Sequence, residues 1–419
     1  MPVFRGRVPF GDLFILVMVL AVLFSGCTTH APVTSPVPEV TPSLTPPGTG
    51  YAGGSPGTPP CTSSRTLIVN TTPAPTVTPD PGFETKGSLN KMYYYIAGGT
   101  PGYIPFKVYT GVNDYILSFG DIYTGDDYNA IIGNEVQQKY ISPMVENIRN
   151  AAKNPDDEAR IAISLVQHIK YDANALNEIQ VNTSKTGQKY IGRYPYTILD
   201  QNWGGICGEK SFLLALLLKD LGYGVALYEF DDIHHVAIGI KAPAQYAYQG
   251  TGYALIESTA PEIPTFDDYS FVGTDATLSS TSPSRTVVVS DGRSFTTIGT
   301  EYSDAQLERS IYQELGKVSA AAMAVNEDVE QLDQLRATAE YWRTQAQNDY
   351  ARGDMASYQN DLSMFNQALA AYENCYNQVY QPAYITWSNL KDEYQKNFAP
   401  KQKALEDKYG MTTGFGVGL

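Results

Sequence analysis

Leu307, Ile311, Leu315, Val318, Ala322, Val325, Val329, Leu332, Leu335, Ala339, Trp342 and Ala346 follow one another at steps of three and four. Residues so spaced share one face of an α-helix, and a narrow apolar stripe held this long requires a long helix laid against a partner, as in a coiled coil or helical hairpin. Gly353-Asp354 offers a stop and a fresh start, so Met355 to Tyr380 is expected to fold back antiparallel, with Pro382 and Pro400 bounding a third, shorter helix. The chain from about 301 to 410 is thereby committed to helix. No repeat of solenoid period accompanies it.

The opposite end cannot join a core. Arg5 and Arg7 precede the apolar run Leu13 to Phe24, too short for a hydrocarbon core that needs about 20 residues, so it reads as the h-region of a signal peptide. Ser25-Gly26-Cys27 follows and resembles a lipobox, with Cys27 the lipidated residue and Phe24 standing where that pattern has leucine. An ordinary signal peptide or an uncleaved anchor is the alternative; Arg5-Gly6-Arg7 is not a twin-arginine signal. Each places the bulk of the chain at the extracellular face of the cytoplasmic membrane, anchored there or secreted. Residues 28–82 hold 13 of the 26 prolines, interleaved with Thr, Ser and Gly. Such a stretch buries too little apolar surface to offset its ordering entropy and is expected to be a disordered, partly polyproline tether. Asn70-Thr71-Thr72 within it is a sequon, and Cys61 has no evident role there.

Charge and residue scarcity narrow the chemistry. A net charge of -15 (29 basic, 44 acidic) without a basic cluster excludes nucleic acid as a partner. Four cysteines cannot build a disulfide framework, and four histidines leave a short list for any imidazole-dependent reaction.

In the middle of the chain, residues 83–150 read as short strands at Met92–Ala97, Tyr103–Tyr109 and Tyr115–Phe119. Pro155-Asp156-Asp157 opens a helix carrying Ile161, Leu165, His168 and Ile169 on one side. Gly204-Gly205-Ile206-Cys207-Gly208-Glu209-Lys210-Ser211 then leads into the apolar helix Phe212–Leu221, closed by Gly222. Cys207 is thus expected at the helix N-terminus, where free N–H groups and the macrodipole favour a thiolate. A cysteine placed for packing alone would sit deeper, among Leu213, Leu214 and Leu217.

A thiol nucleophile usually needs a general base. His30 lies in the tether, and His168 reads as a packed or capping residue of its helix. His234 and His235 begin the strand His235–Ile240, whose Val236, Ile238 and Ile240 share a face; alternation sets His235 with Ala237 and Gly239 on a side free of bulk, which favours His235 over His234. Glu257, at the end of the apolar run Ala254–Ile256, is expected to be buried and to need a partner. Asp231 and Asp232 read as solvated turn residues. His234 and His235 diverge to opposite faces and make poor paired metal ligands, no HExxH or paired CxxC occurs, and no phosphate loop is present, so neither a metal nor another cofactor is expected.

Tyr194-Pro195-Tyr196, the Gly-Ile-Cys207-Gly-Glu-Lys-Ser run, the His235 strand and Ile-Glu257-Ser-Thr259 together resemble a transglutaminase-like core in the order Cys, His, acid. Gln167-His168-Ile169-Lys170-Tyr171-Asp172 resembles the segment preceding the cysteine in that family. The likeness covers about 155–262, extends more loosely to 85, and is nearest to exported archaeal members. It implies an α+β, papain-like fold in which a cysteine-bearing helix packs on an antiparallel sheet, within a domain spanning 83–300, followed by the C-terminal helical hairpin or bundle. It further implies Cys207, His235 and Glu257 as a catalytic triad. Glu257 stands where many members have Asp, and Ala237 where an aromatic often follows the histidine. Gln201, six residues before Cys207, matches the spacing of the oxyanion glutamine in papain-like proteases; the alternative is a loop cap. The implied activity is acyl transfer or hydrolysis of amide or peptide bonds in a protein or peptide substrate through a Cys207 thioester. The family also contains inactive members, so a scaffold for cell-envelope protein contacts, with the helices binding a protein partner, is the alternative.

Overall fold

A computed structural model describes residues 82–172, 175, 187–200, 204–267 and 278–411. The signal run, Cys27, the tether with His30 and Cys61, and Gln201 lie outside these residues.

Strands β1 (Ser88–Ala97) and β2 (Thr100–Tyr109) form an antiparallel hairpin turning on Gly98-Gly99, both at positive φ, as a two-residue hairpin turn requires. Ile104, Phe106 and Val108 alternate into the core. The strand expected at Tyr115–Phe119 is not one: Thr110–Leu117 is helix α1, and a short strand β3 (Ile122–Tyr123), α2 (Tyr128–Ile132) and α3 (Glu135–Ala151) follow. Val112 and Ile116, four apart, are both fully buried, so the helical period governs there. In α3 the buried set Val136, Tyr140, Ile141, Met144, Val145 and Ile148 has the same period.

Helix α4 (Pro155–His168) starts as its sequence dictates, with Pro155 in the first turn and the Asn154 side chain accepting from the Asp157 N–H at 3.0 Å. Strand β4 (Tyr190–Gly192) and α5 (Pro195–Asp200) lead to the central helix α6 (Cys207–Asp220), buried from Cys207 through Leu218. A helix buried on every side over three turns is the middle of a core. It packs on an antiparallel sheet made of β5 (Val225–Phe230), β6 (His235–Lys241), β7 (Tyr253–Ile256) and β8 (Arg285–Ser290) in the order β7-β6-β5-β8. Val236, Ile238 and Ile240 join the core cluster that contains α6. The other face is not free of bulk: Tyr228, Phe230, Tyr248 and Leu278 pack with Ala237 and Leu255, and a Cβ at Gly239 would press on the Tyr228 ring.

Helix α7 (Gly299–Arg352) runs for 54 residues, about 80 Å at 1.5 Å per residue. Among its buried positions Ile311, Val318, Val325, Leu332, Ala339 and Ala346 stand seven apart, flanked by half-buried apolar neighbours. Gly353 closes it in the left-handed conformation and Asp354 caps α8 (Met355–Cys375), which folds back along it. A π-turn at Tyr376–Tyr380 then carries the chain without a break into α9 (Gln381–Asn397). Pro382 therefore does not end the helical run: it directly follows the π-turn, where the i→i−4 ladder that a proline would break is already interrupted. Pro400 lies at the start of a fourth piece, α10 (Ala399–Tyr409), which the sequence pattern did not separate. The base of α7 is held to the rest by Arg160–Glu301 at 2.6 Å and by Ile263 and Phe266 packed on Ala305, Ile311 and Val318. The result is a mixed α/β chain with antiparallel sheets and a C-terminal helical segment. Among the described residues no helix is long and apolar enough to cross a membrane.

Candidate active site

Cys207 is the first residue of α6, after an extended Ile206. Two contacts fix this turn. Glu209, at the third helical position, accepts from the Ile206 N–H at 3.0 Å. Gly208 lies against β4 so closely that a Cβ would collide with the Ile191 carbonyl oxygen. The Glu209 carboxylate is in turn held by Arg193 in a two-pronged pair, 2.5 and 2.9 Å, while Arg193 also reaches Asp172 at 3.5 Å.

His235 begins β6, and Glu257 directly follows β7. The register Ile238↔Ile256 and Gly239↔Leu255 sets Glu257 opposite Ala237, so both side chains belong to one face of the sheet as diagonal neighbours. His235 Nε2 and Glu257 Oε2 are 2.8 Å apart. The remaining oxygen, Oε1, accepts from both the N–H and the hydroxyl of Thr259, each at 2.7 Å. The Cys207 thiol is hydrogen-bonded to the His235 ring and also receives the Val236 N–H. With Nε2 engaged by Glu257, Nδ1 is the nitrogen left for sulfur. Exposure is low throughout: 9 % for Cys207, 4 % for His235 and 1 % for Glu257.

The electrostatics follow from these contacts. Burial alone would push the Cys207 thiol up, but the bond to His235 and its charge outweigh that, and the thiol is held below its ordinary value. Burial would likewise depress His235; the Glu257 charge and the bonds to Cys207 and Glu257 win, and the imidazole is raised to about 10. Glu257 is pulled down to about 2, because the His235 charge and the Thr259 donors overcome its burial. Sulfur and ring are thereby biased towards a thiolate–imidazolium pair.

Cys207, His235 and Glu257 are thus brought together. His234 is not: it is exposed, in the turn at residues 231–234, with φ at 50°. Asp231 shares that turn and pairs with Lys189 at 3.1 Å. His168 is packed, its Nδ1 at 2.7 Å from the Ser164 carbonyl oxygen and its ring against Tyr94. The thiol of Cys375 is buried among Val325, Leu332 and Tyr380.

Three polar residues that the sequence motifs contain without an evident role, Gln167, Lys210 and Ser211, tie these elements together. Ser211 Oγ donates to the Val236 carbonyl and lies 3.0 Å from Ser258 Oγ, joining α6 to β6 beside His235 and to the chain beside Glu257. Gln167 Nε2 donates to the carbonyls of Glu257 and Glu262. Lys210, fully buried in an otherwise apolar helix, donates to three carbonyls. Polar residues interrupting an apolar helix were the available signal. Among the described residues, no group of three or more His, Cys, Asp or Glu side chains is placed to hold a metal ion. In comparisons with protein-family models, curated proteins and solved structures, nothing matches this chain.

Proposed function

We propose that this chain is a surface-anchored, transglutaminase-like thiol enzyme with a papain-like core, acting on amide or peptide bonds. The observation that carries the reading is the chain of contacts from the Cys207 thiol to the His235 ring and on to Glu257 at 2.8 Å. The Cys207 thiolate attacks the carbonyl carbon, forming the C–S bond and pushing the π electrons onto oxygen. The Cys207 N–H, in a first turn whose donors lie outside the helical ladder, is available to that oxyanion. Collapse breaks the C–N bond, with the His235 imidazolium giving its proton to the leaving amine. Water, or a primary amine in the transfer version, then loses a proton to His235 as it attacks the thioester and restores the thiolate. Glu257 stabilises the imidazolium and fixes the ring in both half-reactions. Hydrolysis is favoured over transfer because water needs no second binding site.

Iodoacetamide labelling tests the reading directly. Cys207 is expected to alkylate faster than Cys61 near neutral pH, and His235→Ala to abolish the difference; equal rates in the wild type would sink the proposal. Incubation with a protein substrate and a fluorescent primary amine separates the two outcomes: new amino termini mean hydrolysis, fluorescent protein means transfer.

A second reading has its own observation. Helices α7 and α8 form a long hairpin with a buried seam of its own, and a thiol hydrolase does not require it. In that reading the fold is an inactive envelope scaffold and the helices carry a protein partner.

A further inference from the structure

Lys210 lies one helical turn after Cys207 and is 0 % exposed. Its Nζ donates to the carbonyls of Ile169 at 2.6 Å, Thr259 at 2.7 Å and Gln167 at 3.1 Å. An ammonium has three donors and no acceptor, so three carbonyls satisfy it fully. Packing alone would be served by methionine without the desolvation of a buried cation. What the cation adds is a link between three segments: the end of α4, the first turn of α6 and the chain just after Glu257.

We infer that Lys210 is a positioning residue, clamping the Glu257 segment to the turn of α6 that carries Cys207 and so fixing Glu257 where it stabilises the His235 cation. The inference rests on the thiol-enzyme reading above. The contacts close into a ring. Lys210 holds the Thr259 carbonyl; the Thr259 N–H and hydroxyl hold Glu257 Oε1; Glu257 Oε2 holds His235 Nε2; and His235 meets Cys207, one turn from Lys210. A second loop tightens the first, since Gln167, whose carbonyl Lys210 binds, donates its own Nε2 to the Glu257 carbonyl at 2.8 Å. Burial lowers the Lys210 ammonium to about 7, with the Glu257 charge pulling it back up.

The test follows the pH dependence of Cys207 alkylation by iodoacetamide in the full chain, read peptide by peptide by mass spectrometry. The wild-type midpoint is expected well below the ordinary thiol value of about 8.5. His235→Ala should raise it to that value or beyond. Lys210→Met should raise it by about one pH unit, a roughly tenfold slower reaction on the acid side, and Lys210→Arg should recover part of the shift. A folded Lys210→Met protein that melts lower yet keeps the wild-type midpoint overturns the inference, and the triad stands provided His235→Ala shifts. If neither variant moves the midpoint, the thiol-enzyme reading falls and takes the inference with it. Should Lys210→Met fail to fold, Lys210→Gln takes its place, since two N–H donors on a shorter stem cannot hold all three carbonyls; its midpoint must also rise, and an unchanged one overturns the clamp.

Discussion

Glu257 and Glu262 stand five positions apart on one stretch of chain, both buried, and their carboxyls are pushed in opposite directions. Glu257 is held as a carboxylate: its burial is overcome by the His235 charge and the two Thr259 donors. Glu262 is raised well above the ordinary range by burial and then by the charge of Glu308 on α7, with only the Ile263 N–H, at 2.8 Å, opposing. Glu308 in turn is raised to about 7, by burial first and by Glu406 and Asp304 beside it. Burial is common to both sites; the facing group differs, an imidazole in one and a second carboxyl in the other. Two facing carboxyls without a cation share a proton, whereas a carboxylate facing an imidazole creates a cation.

The largest effect is expected from removing the charge at the first site. Glu257→Gln keeps the shape and one hydrogen bond but leaves the buried imidazolium without its counter-charge. On the thiol-enzyme reading, turnover of an amide substrate should fall by up to about 10⁴-fold, the loss found on neutralising the orienting acid of a Ser-His-Asp triad. The alkylation midpoint of Cys207 should rise with it. A Glu257→Gln enzyme within a few-fold of wild type would show that the 2.8 Å contact to His235 is structural only.

The second site predicts a slope of opposite sign. A carboxyl raised on folding keeps a proton that the unfolded chain releases, so stability is lost as pH rises from about 4.5 through about 7. Glu257, depressed on folding, contributes stability above its ordinary value that is lost as pH falls towards about 2. Glu308→Gln should therefore flatten the upper limb of a profile of unfolding free energy against pH, from denaturant titrations, by as much as about 3 kcal/mol between pH ~5 and pH ~8, leaving the acid limb unchanged. Identical upper limbs in variant and wild type would mean that the pair does not titrate in that window.

The same contrast separates what the sequence disclosed from what it hid. Glu257 could be picked out because it closes an apolar strand and because Cys207 and His235 define the chemistry it must serve. Glu262 and Glu308 could not, because their meeting depends on how α7 docks against the chain after β7, a contact between segments about 45 positions apart. The helical seam was legible because its period is local. The strand β8 and the helices α1 to α3 were not: in Val112–Leu117 aromatic and β-branched residues are common to both periods, and β8 is specified mainly by its pairing with β5. Lys210 escaped for a related reason, since a lysine in a helix reads as solvent-facing until the carbonyls around it are known.

Helix α7 connects the Glu308 site to the distal hairpin, which gives a milder test of how local these environments are. Leu332 is buried with Val325, Cys375 and Tyr380, away from both glutamates. Leu332→Ala should cost about 2 kcal/mol, at the low end for such truncations because a two-helix seam can partly collapse. It should leave Cys207 alkylation within twofold, since sites without shared partners behave additively. A tenfold change would show that the hairpin and the thiol site are coupled through α7.

The smallest effect is expected from the neighbour of the catalytic-type histidine, and it closes the comparison at the resolution of a single residue. His234 and His235 are adjacent and chemically identical, yet one is exposed in the turn and the other is 4 % exposed against Glu257. The strand geometry separates them: His235 is the first residue paired to β5, opposite Phe230, while His234 holds the left-handed φ of 50° that ends the turn. His234→Ala should therefore change Cys207 alkylation less than twofold at every pH. His234→Gly should stabilise the chain by about 0.5 kcal/mol through relief of that φ, net of the entropy glycine adds to the unfolded chain. If His234→Ala instead mimicked His235→Ala, the base of the thiol site would be His234, and Glu257 would lose its claim to ionise a catalytic imidazole.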